Sequence, residues 1–191
     1  MSANLSTSTM EKVKFLYKFI RTPRTIGSVT PSSRYLTHKM IDAVPWSSIH
    51  CVAELGCGTG VMTKAIHRKM MPNTTVLLFE KDSHLRKQLA LQFPESNTYA
   101  DAKHLCSAVR EAGFEHVDCV ISGLPFANFP QPVRNALMDQ VRRALRPGGY
   151  FIAFQYSLQM KKQLASLFHI ESIRFEMRNV PPAFVYVCRK R

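Results

Sequence analysis

Short apolar runs alternate with amphipathic segments along most of the chain after residue 50. The runs that predict β-strands are 51–55, 75–81, a third run that ends at "NTYA" (97–100), 117–124, "YFIAFQYS" (150–157), 170–179 and 183–190. Segments with helical spacing of apolar residues predict helices at 34–44, 61–70, 83–93, 102–113, 131–145 and 158–168. Strands that alternate with helices predict a mostly parallel sheet covered on both faces. Because no helix separates the last two strands, they should form an antiparallel hairpin at one edge.

The length and the apolar content favour one globular domain. The chain has 191 residues, which is enough for one substantial domain and short for two, and 46% of them are apolar. Uncharged apolar runs stay far below the roughly 20 residues of a membrane span, and no secretory signal pattern opens the sequence. We therefore expect a cytoplasmic protein, with a domain at 31–191 and an appended segment at 1–30.

The cysteines and histidines do not predict a metal site or a disulfide framework. The five cysteines are scattered and include no C-x-x-C pair, and the seven histidines are equally dispersed. We therefore expect no metal cofactor.

Charge is the unusual feature of the composition and bears on the choice of partner. The chain has 26 Lys and Arg residues against 13 Asp and Glu residues, and its formal net charge is +13. Almost half of this excess lies in residues 1–40. A strongly basic protein favours nucleic acid or an anionic membrane surface as its partner.

A glycine-rich loop, "ELGCGTG" (54–60), lies between the first predicted strand and the following helix. Its glycines, Gly56, Gly58 and Gly60, allow a sharp turn and the close approach of a ligand to the backbone. The third glycine comes one residue too early for a dinucleotide loop, and no Lys-Ser/Thr pair follows, as a P-loop requires. The loop is therefore typical of a different nucleotide-type ligand.

Carboxylates stand at the ends of the first three predicted strands. Glu54 precedes the first glycine by two residues, and Glu80 follows Gly60 by 20. A carboxylate in the position of Glu80 can accept hydrogen bonds from both hydroxyls of a ribose. Asp101 ends the third strand, within reach of an adenine amino group.

The pattern E-x-G-x-G-x-G resembles motif I of the class I S-adenosylmethionine-dependent methyltransferases. The resemblance implies a Rossmann-like fold, with a seven-stranded, mostly parallel sheet and an antiparallel C-terminal hairpin, and S-adenosylmethionine as the cofactor. It also implies roles for particular residues. Gly56, Gly58 and Gly60 would pass under the methionine part, Glu54 would hold its amino group through water, Glu80 would bind the ribose, Lys81, Asp101 and Ala102 would flank the adenine, and Ser122 would complete the cofactor site.

The segment "SGLPFANFP" (122–130), after the fourth strand, is a candidate site for the methyl acceptor. It resembles the N-L-P-Y motif of ribosomal-RNA adenine dimethyltransferases, with Ser122-Gly123 in place of the asparagine. In such motifs backbone carbonyls accept the hydrogens of the target amine, here those of Ser122, Gly123 and Leu124, and Phe126 would stack on a base. An RNA adenine N6-methyltransferase is therefore the alternative function.

Three separated segments resemble the bacterial phospholipid N-methyltransferases that act on phosphatidylethanolamine. They are "FLYKFIRTPRTIGSVTPSSRYLTHKM" (15–40), "SGLPFANFP" and "RNVPPAFVYV" (178–187). The resemblance implies methylation of phosphatidylethanolamine and its monomethyl and dimethyl forms towards phosphatidylcholine. The implied partners are the phospholipid substrate and an anionic membrane surface, which would place the protein peripherally at the inner face of the cell membrane.

Residues 10–21 form an amphipathic helix when placed at 100° per residue. Aromatic and aliphatic side chains cover a broad arc, and basic side chains cover most of the narrower one. This pattern is typical of a helix that lies in a membrane interface. The alternative is a helix that covers one face of the core.

The segment between that helix and the glycine loop suggests how a lipid headgroup is held. We predict that Gly27-Ser28-Val29 forms a lid over the cofactor and that Arg24 and Arg34 bind the lipid phosphate. The alternative is a loop held by its own Ser and Thr hydrogen bonds. Ser32 or Ser33 is the predicted cap of helix 34–44.

The target amine must lose a proton before it can attack, so the site must favour its neutral form. Candidate acceptors for its hydrogens are the hydroxyls of Tyr35, which would line the headgroup pocket, and Tyr156. Phe126, Tyr156 and Tyr186 are candidates for cation–π contact with methylated headgroups, or else core aromatics. No residue stands out as a dedicated general base.

Overall fold

This computed structural model describes residues 30–191, with side chains from residue 34 onward. The predicted helix at 10–21, Arg24 and the predicted lid at 27–29 lie outside the described residues. The proposed boundary between an N-terminal segment and the domain at residues 30 and 31 stays a prediction.

The described residues form a seven-stranded sheet with helices on both faces. The strands are β1 Cys51–Leu55, β2 Thr75–Phe79, β3 Asn97–Tyr99, β4 Val117–Ser122, β5 Leu145–Gln155, β6 His169–Glu176 and β7 Ala183–Arg189. The α-helices are α1 Thr30–Ile41, α2 Val61–Lys69, α3 Ser83–Gln92, α4 Leu105–Glu111, α5 Gln131–Ala144 and α6 Lys161–Leu167. The strand order is β3-β2-β1-β4-β5-β7-β6. Strands β1 to β5 pair in parallel, and β7 pairs antiparallel with both β5 and β6. The predicted fold class is thus confirmed.

Two apolar layers cover the sheet. All five residues of β1 are buried, as expected for a central parallel strand. On one face Val141 of α5 packs with Phe151 and Phe168. On the other face Met40 of α1 and Ile66 of α2 pack against the sheet. Both helical layers therefore fix the loops that join strands to helices.

Some element boundaries differ from the prediction. The first described helix covers Thr30–Ile41, so Ser32 and Ser33 lie within it and the predicted cap of a helix at 34–44 is wrong. The predicted helices at 102–113 and 158–168 each open with a 3₁₀ turn. Strand β5 begins at Leu145, five residues before the predicted start at residue 150, and includes Pro147, Gly148 and Gly149.

The carboxyl ends of the parallel strands meet at one edge of the sheet. There β1 ends at Leu55 and β4 at Ser122, and these two residues are register partners. The chain order reverses between β1 and β4, because β2 and β3 lie on one side and β5 on the other. A reversal of this kind opens a crevice beyond the strand ends, which is where open α/β sheets bind their ligands.

Candidate active site

The glycine loop has a backbone that only glycine adopts without strain. Gly56, Gly58 and Gly60 have φ angles of 79°, 55° and 80°. A Cβ on Gly56 would lie 2.9 Å from Cδ2 of Leu124, whereas a Cβ on Gly58 would meet nothing within 4 Å. The loop is thus packed tightly at Gly56 and open at Gly58, where a ligand can approach the main chain.

Glu80 is bound to the glycine loop through its side chain. Its Oε2 accepts a hydrogen bond from the amide of Gly58 at 2.8 Å, and its Oε1 accepts one from the amide of Asp82 at 2.8 Å. An ionised carboxylate has about four acceptor positions, so both oxygens can accept further hydrogen bonds. Glu80 is therefore oriented by the backbone and able to bind a pair of hydroxyls.

Glu54 lies beneath the loop, at the end of β1. Its side chain is 2% exposed, and its Oε2 accepts a hydrogen bond from the Thr63 hydroxyl at 2.7 Å. Burial raises the pKa of Glu54 to about 7, and the charge of Glu80 adds to this, while the hydrogen bonds from Thr63 and Cys57 oppose it. A carboxyl group poised between its two forms gains charge when a cation arrives, which suits the amino group of an amino acid.

The predicted adenine-side residues follow β2 and β3. The amide of Glu80 donates to the carbonyl of Tyr99 at 3.0 Å, which holds the ends of these two strands together. Lys81 is exposed, and Oδ1 of Asp101 accepts from the amide of Lys103 at 2.9 Å. The methyl group of Ala102 packs in the core, so its backbone is the part available to a ligand.

The segment after β4 lies directly against the glycine loop. The amide of Gly123 donates to the carbonyl of Leu55 at 2.9 Å. A Cβ on Gly123 would lie 3.1 Å from the carbonyl oxygen of Gly56, so a larger residue would push the two segments apart. The sequence motifs at 54–60 and 122–130 are thus parts of one site.

Internal hydrogen bonds engage Ser122 and Leu124 in the segment after β4. Ser122 is fully buried, and its Oγ accepts a hydrogen bond from the amide of Leu124 at 3.1 Å. The carbonyl of Leu124 accepts two hydrogen bonds at 2.9 Å, from Nε2 of Gln155 and from the amide of Phe126. The two donors to the Leu124 carbonyl make it a weaker candidate acceptor than the Gly123 carbonyl, and the predicted roles of Ser122 and Leu124 stay predictions.

Phe126 and Tyr186 are packed in the core, which favours the alternative of core aromatics, and their predicted contacts with a substrate stay predictions. Phe126 is 1% exposed and makes edge contacts with Phe129 and Phe151. Tyr186 is completely buried, and its hydroxyl donates to the carbonyl of Ser157 at 3.3 Å. Apolar packing explains both positions, because aromatic rings on buried strands and turns fill the space between sheet and helices.

A cavity of about 140 Å³ opens between the segment after β4 and the end of β5. Its wall consists of residues 123, 125, 127 and 128 on one side and residues 154–157 and 159 on the other. Tyr156 lies in this wall, as its predicted role requires, and burial raises the pKa of its hydroxyl. Gly123 belongs to both the cavity and the contact with the glycine loop, so the cavity adjoins the cofactor site.

Gln155 organises this cavity and was not singled out from the sequence. It is 3% exposed; its Oε1 accepts from the amide of Ala127 at 3.1 Å, while its Nε2 donates to Leu124. One side chain thus ties the end of β5 to the segment after β4. A polar residue at the end of an apolar strand was the available signal.

Arg34 and Tyr35 lie on α1, outside the cavity wall. Arg34 is exposed, and Tyr35 is 41% exposed. The guanidinium of Arg178, which follows β6, lies 3.8 Å from the centre of the Tyr35 ring. Tyr35 therefore joins α1 to the C-terminal hairpin, and its predicted place in a headgroup pocket stays a prediction.

Within residues 30–191, no three His, Cys, Asp or Glu side chains come close enough to hold a metal ion. None of the helices in that range combines the length and the apolar character needed to cross a bilayer.

The fold and the glycine loop define the methyltransferase type of Rossmann-like protein, and comparisons with known proteins agree. Residues 52–149 match the family described as methyltransferase domain. The ornithine lipid N-methyltransferase of Singulisphaera acidiphila is 32% identical over 180 residues, which cover 92% of this chain and 94% of that one. A carboxy-S-adenosyl-L-methionine synthase of Trichlorobacter lovleyi is 27% identical over 64% of this chain and 50% of its own.

Solved structures share the fold at low sequence identity. The N-methyltransferase NodS from Bradyrhizobium japonicum in complex with S-adenosyl-L-homocysteine superposes with a TM-score of 0.72 at 11% identity, over 93% of this chain and 97% of that one. The 1,6-didemethyltoxoflavin-N1-methyltransferase of Burkholderia thailandensis gives a TM-score of 0.70 at 12% identity, over 100% of this chain and 91% of its own.

The chain belongs to the class I S-adenosylmethionine-dependent methyltransferases, and within them to the family of bacterial lipid N-methyltransferases. It is an N-methyltransferase with S-adenosylmethionine as its cofactor. The site fits this group. The open backbone at Gly58 suits the methionine part of the cofactor, the oriented carboxylate of Glu80 suits its ribose, and the buried carboxyl of Glu54 suits its ammonium group.

Proposed function

We propose that this protein methylates the amino group of phosphatidylethanolamine, and of its monomethyl and dimethyl forms, at a membrane surface. One observation carries the proposal: a cavity that shares Gly123 with the cofactor site, in a chain 32% identical to a lipid N-methyltransferase over nearly its whole length. The cavity admits a small amine, while a diacyl lipid exceeds it. The headgroup would therefore enter while the acyl chains stay outside.

The chemistry needs a neutral amine in line with a methyl donor. S-adenosylmethionine supplies, when bound, an electrophilic methyl group on a positively charged sulfur. The protein contributes acceptors for the amine hydrogens, and we assign this role to the carbonyl of Gly123 and the hydroxyl of Tyr156. Partial burial of the cavity disfavours the ammonium form of the substrate. Positioning of the nitrogen about 3–3.5 Å from the methyl carbon would supply most of the catalysis.

The membrane part of the proposal rests on sequence. We propose that residues 10–21 lie in the interface of an anionic membrane and that the protein associates peripherally with the inner face of the cell membrane. In the same proposal Gly27-Ser28-Val29 closes over the cofactor, and Arg24 and Arg34 bind the lipid phosphate. Replacement of Arg34 by Ala should then raise the KM for the lipid and leave the affinity for S-adenosylhomocysteine unchanged; an unchanged KM rules out the phosphate role of Arg34.

An RNA substrate is the second candidate, because the net charge is +13 and the segment 122–126 resembles a motif of RNA methyltransferases. The burial of Phe126 counts against it, because a base has no exposed ring to stack on there.

An ornithine lipid headgroup, named for the relative from Singulisphaera acidiphila, also offers a primary amine next to a lipid.

Transfer of tritium from labelled S-adenosylmethionine tests these choices directly. The acceptors are anionic vesicles with phosphatidylethanolamine, the same vesicles with an ornithine lipid, and ribosomal RNA. Glu80→Ala is the matched inactive protein, and Glu115→Gln, which changes an exposed carboxylate elsewhere, is the control. We expect label in phosphatidylethanolamine and its methylated forms. Label in the ornithine lipid alone, or in RNA, would overturn the choice of headgroup or of substrate class.

A further inference from the structure

The turn between β6 and β7 exposes large apolar side chains. Met177 is 73% exposed, Val180 is 74% exposed and Phe175, at the end of β6, is 50% exposed. We call residues 175–182 the hairpin tip. Scattered exposed apolar residues are ordinary, but three within six positions of a turn form a patch.

Polar contacts at its base hold the hairpin tip in shape. Glu176 is almost inaccessible, since the guanidinium of Arg178 and the ammonium of Lys39 cover its carboxylate at 3.0 Å each. Nδ2 of Asn179 donates to the carbonyl of Pro181 at 2.7 Å, and Asn179 is buried. Glu176 and Asn179 are thus buried at the turn while Met177 and Val180 are exposed, which reverses the usual arrangement at a solvated turn.

The hairpin tip stands at the edge of the sheet where the active site opens. Gln155, at the end of β5, is the register partner of Phe184, and Ala183 is the partner of Glu176. Because Gln155 and Tyr156 line the cavity, the turn that joins β6 to β7 lies along the same edge. A surface that met the tip would face the cavity as well.

The charge around the tip favours an anionic partner. Arg174 and Arg178 are exposed on either side of Glu176, whose carboxylate is already matched by Arg178 and Lys39. The whole chain carries +13. Apolar side chains flanked by arginine are suited to a bilayer with anionic lipids, because the apolar groups enter the interface while the cations stay among the headgroups.

We propose that the hairpin tip is a membrane-insertion element, which turns the cavity towards the lipid headgroups. This inference rests on the proposed lipid substrate and adds a contact that lies within the folded domain, separate from residues 10–21. Insertion of Met177 and Val180 at the cavity edge fixes the orientation of the enzyme, whereas an N-terminal segment alone fixes only its proximity to the membrane.

A double variant, Met177→Asp with Val180→Asp, tests the tip in the full chain. The matched control, Met71→Asp with Leu91→Asp, places the same charges at exposed apolar positions, 48% and 84% accessible, in the segment before β2 and on α3. Binding to vesicles of phosphatidylcholine and phosphatidylglycerol is measured by sedimentation. We expect the tip variant to lose about tenfold or more in vesicle affinity and the control to change less than about threefold. Equal losses in both variants would overturn the proposal, because charge alone would then explain them.

A second measurement does not depend on loss of binding. Trp46 is the only tryptophan of the chain, so Val180→Trp combined with Trp46→Phe places the single fluorophore at the tip. Brominated phosphatidylcholine in the vesicles should quench this tryptophan strongly, whereas Trp46 in the wild-type protein should be quenched little. Absence of quenching at position 180 while the protein is vesicle-bound refutes insertion, whatever the double variant does.

The failure of this inference is distinguishable from failure of the proposed function. If the wild-type protein methylates aminolipid but the tip variant binds and methylates vesicles normally, the tip proposal is wrong and the function stands. If the wild-type protein transfers no methyl group to aminolipid, the function is wrong; tip-dependent vesicle binding then still supports the insertion element. Methylation of detergent-dispersed aminolipid should be unchanged in the tip variant, because the cavity itself is intact.

Discussion

The amide of Gly58 donates a hydrogen bond to Oε2 of Glu80 at 2.8 Å and thereby joins the glycine loop to the end of β2. The most open position of the loop and the carboxylate expected to bind the ribose are thus one unit. A change at either residue should affect cofactor binding through both the lost contact and the released loop.

Replacement of Glu80 by Ala removes the acceptor for Gly58 and for the ribose hydroxyls. Hydrogen bonds to a charged group contribute about 1.5–3 kcal/mol, so the affinity for S-adenosylhomocysteine should fall about tenfold to a hundredfold. Isothermal titration calorimetry measures this affinity, with Glu115→Gln as the control. Unchanged binding in Glu80→Ala is incompatible with the assigned site.

Glu54 should make the stability of the unliganded protein fall with rising pH. Burial raises its pKa from an ordinary 4.5 to about 7, so between these values the folded form keeps a proton that the unfolded form has lost. The free energy of unfolding therefore decreases between pH 4.5 and about 7. Above about pH 7, Glu54 causes no further change. Urea unfolding followed by Trp46 fluorescence should show the slope in the wild type and a weaker one in Glu54→Gln.

The same carboxyl group should couple cofactor binding to pH. A bound ammonium group stabilises ionised Glu54, so binding of S-adenosylhomocysteine below about pH 7 should release a proton. Calorimetry in buffers of different ionisation enthalpy counts that proton. The idea fails if Glu54→Gln releases as many protons as the wild type.

Gln155 should act on turnover more than on cofactor binding. Gln155→Leu leaves the amide of Ala127 without its partner and removes one of the two hydrogen bonds to the carbonyl of Leu124, which should cost about 1–3 kcal/mol of stability. A shift of the segment after β4 by even a fraction of an ångström should lower kcat about tenfold to a hundredfold. The affinity for S-adenosylhomocysteine should stay within about twofold of wild type. Gln88→Leu, on the exposed side of α3, is the control, and equal effects on kcat and cofactor affinity would assign Gln155 a general structural role instead.

Phe126 should behave as a core residue. Phe126→Ala should lower the free energy of unfolding by about 3–5 kcal/mol, since it leaves a cavity between Phe129 and Phe151. Phe126→Leu should be milder and should keep the KM for the acceptor. A raised acceptor KM in a well-folded Phe126→Leu protein would restore the stacking role that burial argues against.

Glu176 should contribute stability that acid removes. Hydrogen bonds from Arg178, and further from Lys39, lower the pKa of Glu176 to about 2 from an ordinary 4.5. A depressed carboxyl pKa stabilises the fold above the ordinary value, and this contribution is lost as the pH falls from 4.5 towards 2. Thermal melts of the wild type and of Glu176→Gln should differ most near neutral pH and converge at the acid end.

The sequence by itself determined the order of strands and helices and the family of the site. Apolar runs at 51–55 and 117–124 could only be buried in a parallel sheet, and the absence of a helix between the last two runs dictated an antiparallel pair. The roles of Gly56, Gly58 and Gly60 and of Glu54 and Glu80 could be predicted from the sequence. Each of these residues stands at or just after the end of its own strand, where its position depends on the local backbone geometry.

Tertiary structure alone decided which of the side chains near the site reach a ligand. Phe126 and Tyr186 are aromatic residues of the kind found in binding sites. The direction of a side chain at a strand end, however, depends on packing against elements distant in the chain. The same holds for Leu124, whose carbonyl is taken by Gln155, 31 residues away. The contact of Lys39 with Glu176 forms only when the sheet brings α1 beside β6, so no local sequence pattern can predict it.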